Sequence, residues 1–255
     1  MCLIIFQKNN HPHYKLVIAA NRDEFYGRPT APAQFWEDHP DMLAGQDRKK
    51  GGTWLGLTKQ GRFAAVTNIR KPGFLDTDKK SRGALVSDYL TGHATPEAYL
   101  DALDREKDDY SGFNLLVGNQ DELFYLNNDG GSVDAVTDGA HGLSNHHLDT
   151  PWPKVVKGRT RLEEYMHNTD ALDIDVIFEL LADSEQTTEE LPETGLAESL
   201  ERQLSSAFIN IPEYGTRSST VVLVDHDDNA TFVERTFSED GQTGESQYAF
   251  KIDSY

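Results

Sequence analysis

Short apolar runs and longer amphipathic stretches alternate along this chain, and the change of period marks its elements. Residues 2–7 (Cys-Leu-Ile-Ile-Phe-Gln) and 14–20 (Tyr-Lys-Leu-Val-Ile-Ala-Ala) are nearly continuous apolar runs, which predicts two buried strands. Lys8-Asn9-Asn10-His11-Pro12 between them is turn chemistry. A hairpin closing near Asn10-His11 pairs residues whose numbers sum to the low twenties, so Ala20 to Asp23 fall beside Cys2. Residues 25–42, with prolines at 29, 32 and 40, predict a loop that Phe35 and Trp36 tuck against the core. Residues 43–52 are polar and glycine-bearing, and predict the lining of a site mouth. A second hairpin follows over 53–58 and 62–68, turned by Lys59-Gln60-Gly61 and ending on Asn68.

Residues 81–91 then carry Leu85, Val86, Tyr89 and Leu90 on one helical face behind Ser81 as cap. Thr95-Pro96-Glu97 opens another helix with its cap and first-turn proline in place. Strands are predicted over 113–117 and 123–126 about the turn Gly118-Asn119-Gln120-Asp121, and short strand pieces over 135–136 and 141–144. Helices follow over 153–167, 172–182 and 198–204, separated at 183–196 by an acidic loop of the kind that gates a site. A last hairpin over 219–225 and 230–237 and an edge strand over 247–252 complete the pattern. Clustered strands with paired helices between them make an α+β chain with antiparallel sheets and helices outside.

Composition narrows the function classes. The 255 residues suffice for one domain with a substantial core, and no internal repeat divides them. A net charge of −19 argues against nucleic acid and anionic membrane as partners. No apolar run approaches a membrane span, and the run behind Met1 is too short for a secretory leader. A single cysteine excludes an intramolecular disulfide and a cysteine-based metal cage, and a reducing cytoplasm is the simplest expected home.

That cysteine is residue 2. If Met1 is removed, one residue carries a thiol and a free α-amine, a nucleophile with its own base. Reference pKa values are about 7.7–8.0 for the amine and about 8.5 for the thiol, so a modest fall in the latter would populate thiolate near neutrality. The run Asn21-Arg22-Asp23-Glu24 lies beside it in the predicted hairpin: an arginine there favours thiolate, and Asp23 can hold the amine. The plainer alternative is a small buried hydrophobe followed by an ordinary polar turn. Other residues stay equally open. Asn68 either points into a pocket or opens the turn before Lys71-Pro72-Gly73, and Arg217 either serves a site or pairs with one of many carboxylates. His146 and His147 alternate faces in an extended strand, which disfavours one metal between them. Asp129-Gly130-Gly131-Ser132 lacks the strand–turn–helix setting of a phosphate loop.

Taken together, Met1-Cys2 before an apolar strand, Asn21-Arg22-Asp23-Glu24 with Arg28-Pro29, Gly52-Thr53-Trp54-Leu55-Gly56, Ser144-Asn145 with Thr150-Pro151-Trp152-Pro153-Lys154, and Tyr214-Gly215-Thr216-Arg217-Ser218-Ser219-Thr220 resemble the NRDE (transport and Golgi organisation) family over nearly the whole chain. That family is in turn similar to N-terminal-nucleophile hydrolases of the bile-salt hydrolase and penicillin V acylase group. The resemblance implies one domain over 1–255, a four-layer αββα sandwich of two antiparallel sheets, and Cys2 at the end of a central strand. It implies Cys2 as nucleophile, Asp23 orienting the amine, Asn68 and Asn145 on the oxyanion, and Arg217 with Arg22 tuning the thiol. The bile-salt hydrolase group reads Arg-Asn-x-Asp, and Ala20 stands here where its arginine stands. Arg22 alternates away from Asp23 along a strand, which ranks it behind Arg217.

The activity so implied is hydrolysis of a non-peptide amide without a cofactor. The alternative implied by animal relatives is a haem, lipid or acyl-coenzyme A carrier on the same fold. No Cys-Pro or Cys-x-x-Cys-His haem signature is present.

Overall fold

The computed structural model describes residues 2–71, 79–119 and 121–253. The first strands are β1 (Cys2–Lys8), β2 (Tyr14–Phe25), β3 (Thr30–Phe35), β4 (Met42–Asp47), β5 (Leu55–Thr58) and β6 (Phe63–Asn68). Helices α1 (Arg82–Thr91) and α2 (Pro96–Asp104) follow, then β7 (Phe113–Gly118), β8 (Leu123–Asn127), β9 (Asp134–Ala135) and β10 (Gly139–Leu143). The remainder is α3 (Pro153–His167), α4 (Ile174–Leu181), α5 (Glu198–Gln203), β11 (Asn210–Ile211), β12 (Tyr214–Asp225), β13 (Asn229–Ser238) and β14 (Gly241–Lys251). The α+β class and the antiparallel sheets expected from the pattern are both present.

The chain divides into two compact units. The first comprises Met1–Gly27, Asp138–Ser144 and Leu148–Ala249, and holds a sheet in the order β10-β1-β2-β12-β13-β14 with β11 against β12. Leu3, Ile5, Val17, Ala19, Val221, Leu223 and Val233 of this sheet pack against Val155, Leu162 and Met166 of α3 and Ile177, Phe178 and Leu181 of α4. Side chains alternate along a strand, so Cys2, Ile4 and Phe6 lie on the opposite face. Gly142 and Gly158 let α3 close on the sheet: a Cβ on Gly158 would press on Ile5 at 3.0 Å.

The second unit comprises Arg28–Thr137, Asn145–His147 and Phe250–Tyr255, and holds a sheet in the order β3-β4-β5-β6-β7-β8-β9. Ala64, Val66, Phe113, Leu115, Val117 and Leu126 pack against Leu85, Val86, Tyr89 and Leu90 of α1 and Leu100 and Leu103 of α2. Thr95 caps α2 as expected, its hydroxyl accepting from Ala98 N at 3.3 Å, whereas Ser81 precedes α1 without a side-chain cap bond. Trp36 packs on this core and donates Nε1 to Ala44 O at 3.0 Å, as its tucked position predicts.

Four expectations need correction. Residues 25–42 are not a loop: β3 lies within them, with Pro32 between the register positions Ala31 and Gln34, where a missing N–H breaks no ladder bond. Residues 42–47 are the buried strand β4 rather than the rim of a mouth. Asn21 to Glu24 do not follow β2 but form part of it, because β12 pairs with all four on one side and β1 with Asn21 and Arg22 on the other. Strand β14 also begins at Gly241, well before the predicted 247. The turn expected at Pro72-Gly73 lies outside the described residues.

Candidate active site

The β1–β2 hairpin has the expected register, with Cys2 opposite Arg22, Leu3 opposite Asn21 and Ile4 opposite Ala20. Directly opposed residues share a face, so Arg22 stands beside Cys2. On β12, Ser218 pairs with Arg22, and the row across the three strands reads Cys2, Arg22, Ser218. Arg22 is 7% exposed and Ser218 3%. Cys2 itself is half-buried, and the backbone N–H of Asp23 donates to its sulfur.

Burial pushes the Cys2 thiol above its ordinary value and the Asp23 charge pushes the same way. Arg22 and the Asp23 N–H pull it down without prevailing. The direction is opposite to the fall that would by itself populate thiolate, so a reaction at this sulfur needs a base.

Asp23 faces the helices. Thr216 Oγ1 donates to its Oδ1 at 2.7 Å while accepting from Ile209 N at 3.0 Å. Burial raises the Asp23 pKa, opposed by the Lys154 charge, the Thr216 bond and Arg22. Lys154 reaches this interior from the first turn of α3, and its ammonium donates to Leu204 O at 3.0 Å. Asn21 is a brace: Nδ2 donates to Leu181 O and Ala207 O, each at 2.8 Å, and Oδ1 accepts from Ser219 Oγ at 2.6 Å. Gly215 has no room for a side chain against the Tyr26 hydroxyl and the Ile209 carbonyl, which lets β11 close on β12.

Arg217 is the extra residue of a bulge between Thr216 and Ser218. Its Nη1 donates to Phe25 O at 2.9 Å and Tyr26 O at 3.0 Å, and its Nε to Phe237 O at 3.3 Å. These contacts hold the end of β2 beyond Asp23. The alternation that turns Arg22 from the Asp23 carboxylate turns it toward the sulfur.

In the second unit, Asn145 is fully buried, and its Nδ2 donates to Asn68 O at 2.8 Å while its own carbonyl accepts from Arg70 N at 2.8 Å. Asn68 ends β6 opposite Phe113. The two asparagines singled out in the sequence thus meet. The His146 and His147 rings lie 4.5 Å apart, tilted by 37°, and no cluster of three or more His, Cys, Asp or Glu suited to a metal occurs among the described residues.

Sequence reasoning missed Thr216, Ser219 and Lys154 as partners of the Asn21–Asp23 run. The β12 motif carried the first two, but nothing short of the fold brings α3 beneath Asp23. A cavity of about 510 Å³, lined by Lys154, Arg161, Asp183 and Thr187, lies on this helix side of the sheet and not on the face of Cys2. No helix among the described residues is long and apolar enough to cross a membrane.

Among solved structures, an N-acylethanolamine-hydrolyzing acid amidase ortholog from Caenorhabditis elegans is similar with a TM-score of 0.53 at 12% identity, over 88% of this chain and 92% of that one. The C2A mutant of conjugated bile acid hydrolase from Clostridium perfringens is similar with a TM-score of 0.55 at 8% identity, over 99% and 92%. At such identities the likeness is one of fold, and the fold is N-terminal-nucleophile-hydrolase-like, with two antiparallel sheets flanked by helices. The human Transport and Golgi organization protein 2 homolog is 37% identical over an alignment 257 positions long that covers 92% of this chain and 93% of the human one. Transport and Golgi organization protein 2 of Drosophila melanogaster is 28% identical over an alignment 266 positions long that covers 93% of each chain. The family model described as Transport and Golgi organisation 2 matches residues 1–239. This chain belongs to the Transport and Golgi organisation 2 family.

Proposed function

We propose that this protein hydrolyses a non-peptide amide through an acyl-enzyme on Cys2, once Met1 is removed. The freed α-amine takes the thiol proton, and the sulfur adds to the amide carbon. Asn68 and Asn145 donate to the resulting oxyanion, a contribution of about 3 kcal/mol for one such donor. Collapse breaks the C–N bond as the α-ammonium returns the proton to the departing amine. Water, deprotonated by the same amine, then cleaves the thioester to acid and free thiol. Asp23 orients the amine, Arg22 favours the thiolate from across the hairpin, and Arg217 holds the strand end that carries Asp23.

One observation carries this reading: the Cys2 sulfur accepts the Asp23 N–H and stands opposite Arg22. The raised thiol pKa supports a base-assisted step over a standing thiolate. Both of these solved proteins are named as hydrolytic enzymes, one an N-acylethanolamine-hydrolyzing acid amidase and one a conjugated bile acid hydrolase.

The test starts from the intact mass, which reports whether Met1 is gone. Processed protein is then mixed with N-octanoyl-p-nitroanilide and followed by peptide mass spectrometry and nitroaniline release. The expected result is one octanoyl group on residue 2 and turnover that Cys2→Ala abolishes. Nitroaniline release that survives Cys2→Ala, or none from processed wild type, ends the proposal.

A second reading on the same fold is a lipid, acyl-coenzyme A or haem carrier. A neutral thiol is a poor thiolate ligand, so haem fits this residue less well than the other two. Saturable binding of octanoyl-coenzyme A that Cys2→Ala leaves intact, without turnover, is the outcome expected of a carrier. A spectral titration with haem examines the third ligand.

A further inference from the structure

A line of buried polar side chains crosses the second sheet on the face opposite α1 and α2. Thr67, Asn114 and Asn127 pair in one row across β6, β7 and β8, and Tyr125 stands two residues from Asn127 on the same face. Their exposures are 0%, 0%, 4% and 5%, positions that apolar side chains would ordinarily fill.

The hydrogen bonds of this line have a direction. It begins at the turn Asp129-Gly130-Gly131, where Gly130 takes φ +81°. The backbone N–H groups of Asp129 and Gly131 donate to Asn127 Oδ1 at 2.9 and 3.2 Å. A backbone N–H can only donate, so the Asn127 amide cannot be reversed, and its Nδ2 donates to the Tyr125 hydroxyl at 3.2 Å. The hydroxyl proton is thereby directed to Asn114 Oδ1 at 2.7 Å. Asn114 Nδ2 in turn donates to His146 O at 2.8 Å and Thr67 Oγ1 at 3.1 Å. A reversed Asn114 amide would set its carbonyl against the His146 carbonyl, two acceptors with no proton between them.

His146 is the neighbour of Asn145. The segment Asn145–His147 is held in this unit by Asn114 on His146 O, by Asn145 Nδ2 on Asn68 O and by Arg70 N on Asn145 O. We propose that Tyr125 is a positioning residue: through Asn114 it fixes the place of the His146 carbonyl, and with it the aim of the Asn145 amide. The catalytic side of this inference rests on the reading of Asn145 as an oxyanion donor. A positioned donor gains its effect from being fixed before the charge develops, so loosening its support lowers the chemical step without weakening binding.

Tyr125→Phe removes one oxygen and keeps the ring, which spares the fold. The expected result is about a tenfold fall in kcat on N-octanoyl-p-nitroanilide with KM within about twofold, and an unchanged rate of Cys2 alkylation by iodoacetamide. Independently of turnover, the side-chain amide resonances of Asn145, identified by their loss in Asn145→Asp, move in Tyr125→Phe. Thr67→Val deletes another hydroxyl of the network off the Tyr125–Asn114–His146 line, and is expected to move neither kcat nor those resonances. Unmoved resonances in Tyr125→Phe, or an equal effect from Thr67→Val, overturn the proposal. Wild type that never acylates removes the hydrolase reading, while the resonance shift still decides whether Tyr125 positions Asn145.

Discussion

The two units bury polar side chains at comparable depth but with opposite chemistry. In the first, the polar end of the sheet is ionisable: Cys2, Arg22 and Asp23, with Lys154 beneath. In the second, it is neutral: Asn68, Asn145, Asn114, Thr67, Tyr125 and Asn127. Desolvation shifts the protonation of the first set and only orients the second. Under the proposed reaction the first set carries the proton transfers and this neutral set the fixed dipoles, so the pH dependence should follow Cys2, Arg22 and Asp23.

Asn145→Ala puts that division to its hardest trial. It should lower kcat about 10²- to 10³-fold and leave the pH–rate profile where it was. A displaced profile would mean that the neutral unit takes part in proton transfer.

Thr216→Val should cost about 1–3 kcal/mol by depriving the Asp23 carboxylate of a buried donor. Its direction with pH is fixed by linkage. Asp23 has a raised folded pKa, so the folded chain keeps a proton that the unfolded chain has released, and stability falls as pH rises through that window. Losing the Thr216 bond raises the folded pKa further. Thermal unfolding should therefore show the deficit widening as the pH rises through the raised Asp23 value and narrowing as the pH falls back through it. A deficit that is constant with pH would assign Thr216 to packing alone.

A smaller effect is expected for Arg22→Gln. Removing the cation opposite Cys2 raises the thiol pKa again, so alkylation by iodoacetamide at fixed neutral pH should slow about tenfold, the equivalent of one pKa unit. If Arg217→Gln slows it more than Arg22→Gln, the bulge and not the hairpin governs the sulfur. The smallest effect belongs to Ser218→Ala. The Ser218 hydroxyl is buried with no hydrogen-bond partner among the described residues, so its removal should leave the melting temperature unchanged or raise it, by at most about 1 kcal/mol. A clear loss of stability would reveal a partner for that hydroxyl.

Elements whose own composition declares them were legible in advance. Apolar runs on either side of a turn gave β1 and β2 with their register, and the 153–167 helix agreed end to end. Strands β3 and β4 were not legible, because Pro29, Pro32 and Pro40 read as loop wherever the ladder that excuses them is unseen. The second strand was read to end at Ala20, short of Asn21 to Glu24, for a related reason: a polar run in a strand is tolerable only when particular partners satisfy it, and those partners lie some two hundred residues away at Thr216 and Ser219.

Local composition, then, determined that this chain forms antiparallel hairpins with paired helices, that its only thiol is residue 2, and that Asn21-Arg22-Asp23 borders it. Those features depend on short-range alternation and turn chemistry, which a linear text contains. Only the tertiary structure decided that Arg22 shares a face with the sulfur, that Arg217 anchors a strand end, and that burial raises both the Cys2 and Asp23 pKa values. Desolvation and register are set by what packs across a group, and that information is spread over segments that meet only on folding.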